Sequence, residues 1–484
     1  MNYRMIIKLL GRIACIEAVL MLVPMLVSLA YGESVKGFAV AIAVAVVIGA
    51  AFELATRNCD KRIFSKEGLT SVALCWVLIS LIGAIPFTVD GAIPSYIDAV
   101  FETVSGFTTT GSSILTDVEA LGKGMLFWRS FTHWIGGMGI LVFMMAVMPM
   151  SKEYSMHIMR AEIPGPEAGK LTPKIQRSSL ILYLIYIFLT IAEVVALLIC
   201  KMPFFDSVVH AFGTAGTGGF GIKNTSIGAY SSPAIDTVIA VFMVAFGVNF
   251  NVYFLLLIRK LRTALFNEEL RWYLGIVGFA TVTIAYNLRS VYNSVAECFR
   301  YSFFQVASII STTGFFTADF DKWPEYSKMM LILVMFIGAC AGSTAGGLKV
   351  SRVIILLKSS VVEIKHMLHP RSYNVVRVNG KNVGKETLHN VLVFFSVYMM
   401  ILSAACVIIG AVDGFDLITT FTSVATCISN VGPGFAFVGP TGNFSIFSPF
   451  SKILLSVCML MGRLEIFPML ILFYPSTWKK SGQF

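Results

Sequence analysis

The sequence predicts an all-α polytopic membrane protein, and three observations carry that reading. Hydrophobic residues make up 56% of the 484 residues and charged residues only 13%, against roughly 25% charged in a soluble domain. The mean hydropathy is +0.79. The apolar residues come in blocks of about 20, the length that crosses the hydrocarbon layer as a helix. This balance excludes disorder, a coiled coil and an ordinary soluble enzyme.

Ten candidate spans follow in order, at roughly 7–31, 37–55, 70–90, 124–149, 178–200, 234–258, 272–288, 327–357, 388–411 and 451–473. Arg12 and Glu17 interrupt the first block, and no small-residue cleavage site stands out. It reads as a retained span rather than a signal peptide. Four gaps hold a shorter apolar stretch, at 96–110, 204–218, 295–313 and 415–431. Each is too short to span and ends in Gly with Thr, Ser or Asn, so each reads as re-entrant. The nine cysteines are scattered, without a CxxC pair. They read as small buried hydrophobes rather than a metal or disulfide framework.

Charge sets the expected orientation. With the N-terminus in the cytoplasm, inner segments hold 26 of the 37 Lys and Arg, and outer segments and outer helix ends hold ten. Arg463 lies inside a span. Basic residues collect in cytoplasmic loops, so the net charge of +10 reflects topology rather than nucleic-acid binding. Both termini then face the cytoplasm and all four re-entrant stretches face outward. No loop is long enough for a soluble module, so nucleotide sensing or catalysis must sit on another chain.

The four short stretches align without gaps on a glycine. They run from Ala99 to Gly111, Ser207 to Gly219, Ser302 to Gly314 and Thr420 to Gly432. Six residues before each glycine stands a small residue: Ser105, Gly213, Ser308 and Thr426. The repeating unit is span, half-helix, Gly-bearing turn, span. The chain divides into an N-terminal two-helix hairpin, 1–67, and four units, 68–177, 178–270, 271–387 and 388–484, around a pseudo-four-fold pore.

Extended backbone at membrane depth survives only where it is buried in protein or lines a water-filled path. Four such strands around one axis would aim carbonyl oxygens at that path and replace the water around a K⁺ ion. Glycine lets the chain turn so that carbonyls face inward. Half-helix C-termini add partial negative charge. These features predict a selectivity filter for a monovalent cation. Its residues would be Thr109, Thr110 and Gly111; Thr217, Gly218 and Gly219; Thr312, Thr313 and Gly314; and Asn430, Val431 and Gly432.

The whole chain resembles the TrkH/KtrB/HKT superfamily of potassium transporters, and within it the TrkH branch, which has the extra N-terminal hairpin. The motifs that carry the resemblance are SGFTTTG (105–111), FWRSFTHWIGGMGI (127–140), TGGFG (217–221), STTGF (311–315), AGSTAGGLKV (341–350), SNVGPG (429–434) and MGRLEIFP (461–468). The resemblance implies K⁺ uptake across the bacterial inner membrane, a homodimer with one pore per protomer, and a cytosolic TrkA-like nucleotide-binding ring. All four filter glycines are retained, which in the family goes with K⁺ selectivity. Ala339 stands where many relatives have Gly. No organic cofactor is expected on this chain, and no nucleic-acid partner.

The eighth span contains four glycines with Ser and Thr between Gly338 and Gly347. Each glycine costs about 1 kcal/mol relative to Ala in a helix interior. The resemblance implies a gating loop here, at Gly342, Ser343, Thr344, Ala345 and Gly346. The other reading is close helix packing on small residues. Neither GGMG at 136–139 nor Lys349 fits a nucleotide motif. Arg463 is a functional candidate as an ionisable residue inside a span. The resemblance places it facing the pore near the loop, and a structural pair with Glu465 or with free carbonyls is the other reading. Asp98 and Glu102 would concentrate cations at the mouth, or Asp98 would cap its half-helix. His133 reads as structural. His366 and His369 lack an acid or Cys cluster that would complete a metal site. The basic segment 349–385 suits anionic lipid or an acidic partner surface.

The sequence predicts a K⁺ pore gated by a cytosolic partner. The alternative is a carrier coupling K⁺ to Na⁺ or H⁺, for which Glu17 and Glu465 are poor candidates as the coupling carboxylate. An integral membrane enzyme is not expected, because no catalytic set appears at useful spacing.

Overall fold

The computed structural model describes residues 1–57, 65–139, 175–371 and 374–478. The chain begins with α1 (Tyr3–Ala30) and α2 (Lys36–Ala55). These pair closely because Gly11 and Gly49 face each other: a Cβ at Gly49 would lie 2.4 Å from Cys15 Sγ and 3.0 Å from the Gly11 carbonyl oxygen. Without a water-driven hydrophobic effect, such small-residue contacts bring apolar helices together in lipid.

Four units follow. The first has α3 (Ser65–Val89), half-helix α4 (Tyr96–Phe107) and α5 (Lys123–Gly137). The second has α6 (Ile175–Ile199), half-helix α7 (Phe204–Gly216), then α8 (Pro233–Phe246) and α9 (Phe250–Leu257). A short α10 (Leu261–Leu265) leads to the third unit. That unit has α11 (Glu268–Asn287), half-helix α12 (Val295–Ile310), α13 (Glu325–Ile337) and α14 (Val350–Leu368). The fourth has α15 (Lys385–Asp413), half-helix α16 (Leu417–Ser429), α17 (Pro449–Arg463) and α18 (Phe467–Phe473).

The packing repeats with the units. Each half-helix lies between the two spans of its own unit and also touches the second span of the preceding unit. Thus α7 packs on α5, α12 on α8, α16 on α13, and α4 on α17, which closes the circle. The hairpin α1–α2 packs outside this circle against α3 and α5. Its connection caps α5 from a distance, since Glu33 accepts the N–H groups of Lys123 and Gly124 at 2.6 and 2.9 Å. The fold is an all-α polytopic membrane architecture, with four units arranged around one axis.

Two spans expected to be continuous are broken. The span at 234–258 bends by 90° at Gly247–Asn249, between α8 and α9. The span at 451–473 breaks at Leu464–Ile466, where Glu465 and Ile466 take positive φ of 58° and 65°. The expected break in the third unit occupies residues 338–349, between α13 and α14. Hence only five described helices are long and apolar enough to cross a membrane alone, or six with the bent α8–α9 pair. The span at 124–149 is described only as far as 139. Most of the basic stretch 152–177 and the pair at 479–480 lie outside the described residues.

One element was not expected. Strands β1 (Arg377–Val378) and β2 (Lys381–Asn382) form a small antiparallel hairpin within the basic segment. Asn379 and Gly380 both have positive φ, 50° and 74°, as a two-residue Asn-Gly turn requires.

Candidate functional site

The four half-helices end alike. At each end, the residue two before the glycine takes a left-handed φ: 55° at Thr109, 56° at Thr217, 56° at Thr312 and 55° at Asn430. The next N–H reaches back five residues, from Thr110 to Ser105, Gly218 to Gly213, Thr313 to Ser308 and Val431 to Thr426, at 2.8–3.0 Å. The left-handed residue's own N–H reaches back three. These paired bonds are a Schellman closure, which satisfies the last helix carbonyls. The acceptors are the four small residues that recur six before each glycine. Threonine is β-branched and disfavours this conformation. Three such threonines are strain of about 1–3 kcal/mol each, held by the surrounding structure.

The glycines then bring the four turns together. Their φ values are 83°, 75°, 87° and 97° at Gly111, Gly219, Gly314 and Gly432. A Cβ on Gly111 would lie 2.0 Å from the Gly218 carbonyl oxygen, and one on Gly219 would lie 1.9 Å from that of Thr313. One on Gly314 would lie 2.4 Å from the Val431 oxygen, and one on Gly432 2.7 Å from the Thr110 oxygen. Each turn therefore abuts a carbonyl of the next, in chain order, and the fourth meets the first. No side chain fits at any of the four positions. A cavity of about 160 Å³ opens beside this ring, bordered by all four glycines.

Buried polar contacts brace the ring. His133 on α5 lies against the Gly106 carbonyl with Nδ1 at 2.7 Å, and its Nε2 accepts the Phe220 N–H at 3.2 Å. Those roles require the neutral tautomer with hydrogen on Nδ1. This agrees with a structural histidine. Glu102 does not sit free at a mouth. It forms a buried ion pair with Arg129 at 2.7 Å and accepts the Ile114 N–H at 3.0 Å. Arg129 also donates to the Gly221 carbonyl at 3.2 Å, so the pair joins the exits of the first two turns. Asp98 pairs with Lys452 at 2.7 Å. The cap of α4 is Ser95, whose hydroxyl accepts the Asp98 N–H. Neither acid offers a free charge, because each already neutralises a cation.

The segment 338–349 is an irregular loop against the half-helix ends. Gly346 N–H donates to Thr312 Oγ1 at 2.7 Å, and Gly347 N–H donates to the Ser429 carbonyl at 2.9 Å. A Cβ on Gly346 would lie 2.3 Å from that same oxygen. Gly342, through its carbonyl, accepts the Phe250 N–H at 3.0 Å. Thr344 Oγ1 donates to the Phe246 carbonyl at 3.4 Å, and Ser343 Oγ to that of Cys340 at 2.7 Å. Ala345 is buried, and its carbonyl accepts the buried Lys349 ammonium. The small residues thus allow close approach to two half-helix ends.

Arg463 gathers three elements. Its guanidinium donates to the Thr344 carbonyl at 2.7 Å, to those of Gly136 and Gly137 at 2.5 and 2.6 Å, and to Thr109 Oγ1 at 3.3 Å. Its expected partner Glu465 instead pairs with Arg352. Arg463 thus meets free carbonyls, as one of its two structural readings had it, and the turn at 464–466 brings Glu465 to Arg352. On the fourth turn, Asn430 Nδ2 donates to Thr110 Oγ1 and to the Met459 carbonyl, both at 2.9 Å.

Sequence reasoning missed Glu269. It is buried near the start of α11, and its carboxylate accepts the Ala341 N–H at 2.6 Å. It lay outside the expected span, and its partner is 72 residues away. Asn249, at the unexpected break, caps α9 by accepting the Asn251 N–H at 2.9 Å. The signal for this one was legible, an Asn two residues after Gly247. Among the described residues no group of three or more His, Cys, Asp or Glu could hold a metal ion.

Comparison with known proteins agrees with this architecture. The TrkH family model, described as "Cation transport protein", matches residues 34–480. The Trk system potassium uptake protein TrkH of Salmonella typhimurium is 35% identical across 99% of this chain and 100% of its own. The Trk system potassium uptake protein TrkG of Escherichia coli is 32% identical across 99% of each. The crystal structure of the potassium transporter TrkH from Vibrio parahaemolyticus superposes with a TM-score of 0.89 at 32% identity, covering 99% of this chain and 100% of that one. The chain belongs to the TrkH family of cation transport proteins.

Proposed function

We propose that this chain takes up K⁺ across the bacterial inner membrane through a K⁺-selective pore on the axis of its four units. The observation that carries the reading is the closed ring of four glycine turns, each abutting a carbonyl of the next. Thr109, Thr110 and Gly111, with Thr217, Gly218, Gly219, Thr312, Thr313, Gly314, Asn430, Val431 and Gly432, would replace the hydration shell of K⁺. The ion is the cargo, and no organic cofactor or catalytic step is required. The names of the relatives, potassium uptake proteins, support the choice of ion.

Loop residues Gly342 to Gly346 would obstruct the path beneath the ring, with Arg463 as the fastening. A guanidinium here raises the barrier to a cation. Moving the loop requires releasing its bonds to Thr312, Ser429 and Arg463. A cytosolic TrkA-like nucleotide-binding ring would supply that work, acting on a homodimer with both termini cytoplasmic. The excess of Lys and Arg in the segments assigned to the inside supports this orientation.

A carrier coupling K⁺ to H⁺ is the second reading, and one observation favours it. The carboxyls of Glu17 and Glu193 are wholly buried without a hydrogen-bond partner among the described residues. The Thr214 hydroxyl beside Glu193 donates instead to the His210 carbonyl at 3.0 Å. The test is rubidium flux in liposomes at fixed voltage, with and without a pH gradient. A pore gives flux set by voltage and ion gradient alone. A carrier gives flux that follows the pH gradient and fails in Glu193→Gln.

A further inference from the structure

We propose that the groove between α11 and α13 binds an anionic phospholipid of the inner leaflet. Its orientation rests on the charge bias above, but the site is separate from the ion path. The groove has a local cause. Helix α13 stops at Ile337, where the chain turns into the 338–349 loop, which leaves a trough between its last two turns and one face of α11 from Glu268 to Ala280. The result is a cavity of about 660 Å³, bordered from Glu268 to Ala280 on α11 and from Met330 to Ile337 on α13.

Three features select the occupant. The walls are apolar, with Phe279 and Leu333 exposed at 64% and 58%. Gly275 widens the trough, since a Cβ there would meet nothing within 4 Å. The stretch of α11 from Glu268 to Ala280 is about 18 Å long at 1.5 Å per residue, close to one leaflet of a hydrocarbon layer about 30 Å thick. That length suits one acyl chain lying along the helix.

Charge marks the other end. Arg271 and Trp272 are exposed at the groove's charged end, where an interfacial aromatic belongs. Glu268 also lines it, but its carboxylate is already engaged by Lys358 and by the Asn379 N–H at 3.0 Å. Arg271 lies over the Phe266 ring at 6.0 Å and near Glu268, contacts that leave its N–H donors for a phosphate. Arg259, Lys260 and Arg262 lie on the same short connection, and together they favour an anionic headgroup. The adjacent Glu269 holds the Ala341 N–H of the loop, so a lipid here would sit one residue from a loop anchor.

Native mass spectrometry of the purified full-length chain tests this, with phosphatidylglycerol and phosphatidylcholine of equal chain length as probes. Phosphatidylglycerol should be retained in preference to phosphatidylcholine. Arg271→Gln should weaken that retention about five-fold. Gly275→Leu should abolish it by filling the trough, with the melting temperature unchanged. Equal retention of the two lipids, or no effect of either substitution, would overturn the proposal. So would disulfide formation between two copies carrying Gly275→Cys in native membranes, because a second copy would then cover the groove. None of these readouts involves ion flux, so failure of the pore reading leaves the result interpretable.

Discussion

Arg463 donates a hydrogen bond to the Thr344 carbonyl at 2.7 Å. This bond fastens the break in the last span to the loop in the third unit, 119 residues earlier in the chain. The same guanidinium reaches the end of α5 and the first glycine turn. This side chain is one of several anchors that hold the loop against the half-helix ends, and its removal has a defined expectation. Arg463→Gln should raise rubidium flux by the purified chain about five-fold, the worth of roughly one net hydrogen bond. Deleting 342–346 should raise it further. Unchanged flux in a folded deletion variant would refute the gate.

Glu269 holds the same loop through the Ala341 N–H. Glu269→Gln keeps the shape and removes the charge behind the bond to Ala341. A charge-assisted bond is worth about 1.5–3 kcal/mol and a neutral one about 1. If the loop closes the path as proposed, the closed state should lose about 0.5–2 kcal/mol, so flux without any partner rises about two- to thirty-fold. Liposome uptake checks this, with thermal unfolding as the control for folding.

The ring makes a sharper demand. Gly111→Ser must place a Cβ at a site 2.0 Å from the Gly218 carbonyl oxygen, at φ +83°. The first turn has to shift outward. Discrimination between K⁺ and Na⁺ should fall by about ten-fold, a loss of roughly 1.4 kcal/mol. Sodium competition against rubidium uptake reads this directly, and an unchanged ratio would remove Gly111 from the selective site.

The Glu102–Arg129 pair is almost wholly inaccessible to solvent, so little screening applies. Removing one partner leaves a buried charge and should cost about 3–5 kcal/mol. Glu102→Gln alone should therefore lower the melting temperature strongly. Adding Arg129→Met should recover most of it. Equal destabilisation in the single and double variants would show that the pair acts only through its separate backbone contacts.

Asp416 caps α16 by accepting the Thr419 N–H at 3.1 Å. Its carboxyl is held below the ordinary value of 3.8, first by the Thr419 hydroxyl and then by backbone N–H groups. A depressed carboxyl stabilises the folded state fully above the unfolded value, about 3.9. That contribution is lost as pH falls through the lower folded value. Between pH 5 and 8 the difference in stability between the native chain and Asp416→Ala should be constant, at about 0.5–2 kcal/mol. A difference that fades between pH 7 and 5 would show that another group is involved.

Much of this was legible in the sequence, for physical reasons. The four turns stand out because positive φ and close carbonyl approach admit only glycine, at Gly111, Gly219, Gly314 and Gly432. The small residues six earlier are visible for a related reason, since they lie where each half-helix closes. The break at 338–349 shows because four glycines cannot sustain a helix. Breaks at Gly247–Asn249 and Leu464–Ile466 escape a reading by apolar blocks, although Asn249 in the first and Arg463 with Glu465 in the second interrupt the apolar run. The pairing of Glu102 with Arg129, of Asp98 with Lys452 and of Glu465 with Arg352 is set by tertiary packing. Periodicity along the chain carries no trace of partners that meet only after folding. The hairpin at Arg377–Asn382 had a local signal in Asn379-Gly380, set within a basic segment whose charge dominates its reading.

The most direct test of the central claim is uptake of radioactive rubidium into K⁺-loaded liposomes holding the purified chain with its loop residues 342–346 deleted. External K⁺ and Na⁺ serve as competitors. The account predicts uptake that K⁺ abolishes and an equal concentration of Na⁺ leaves nearly unchanged. Uptake blocked equally by both ions would contradict a K⁺-selective ring.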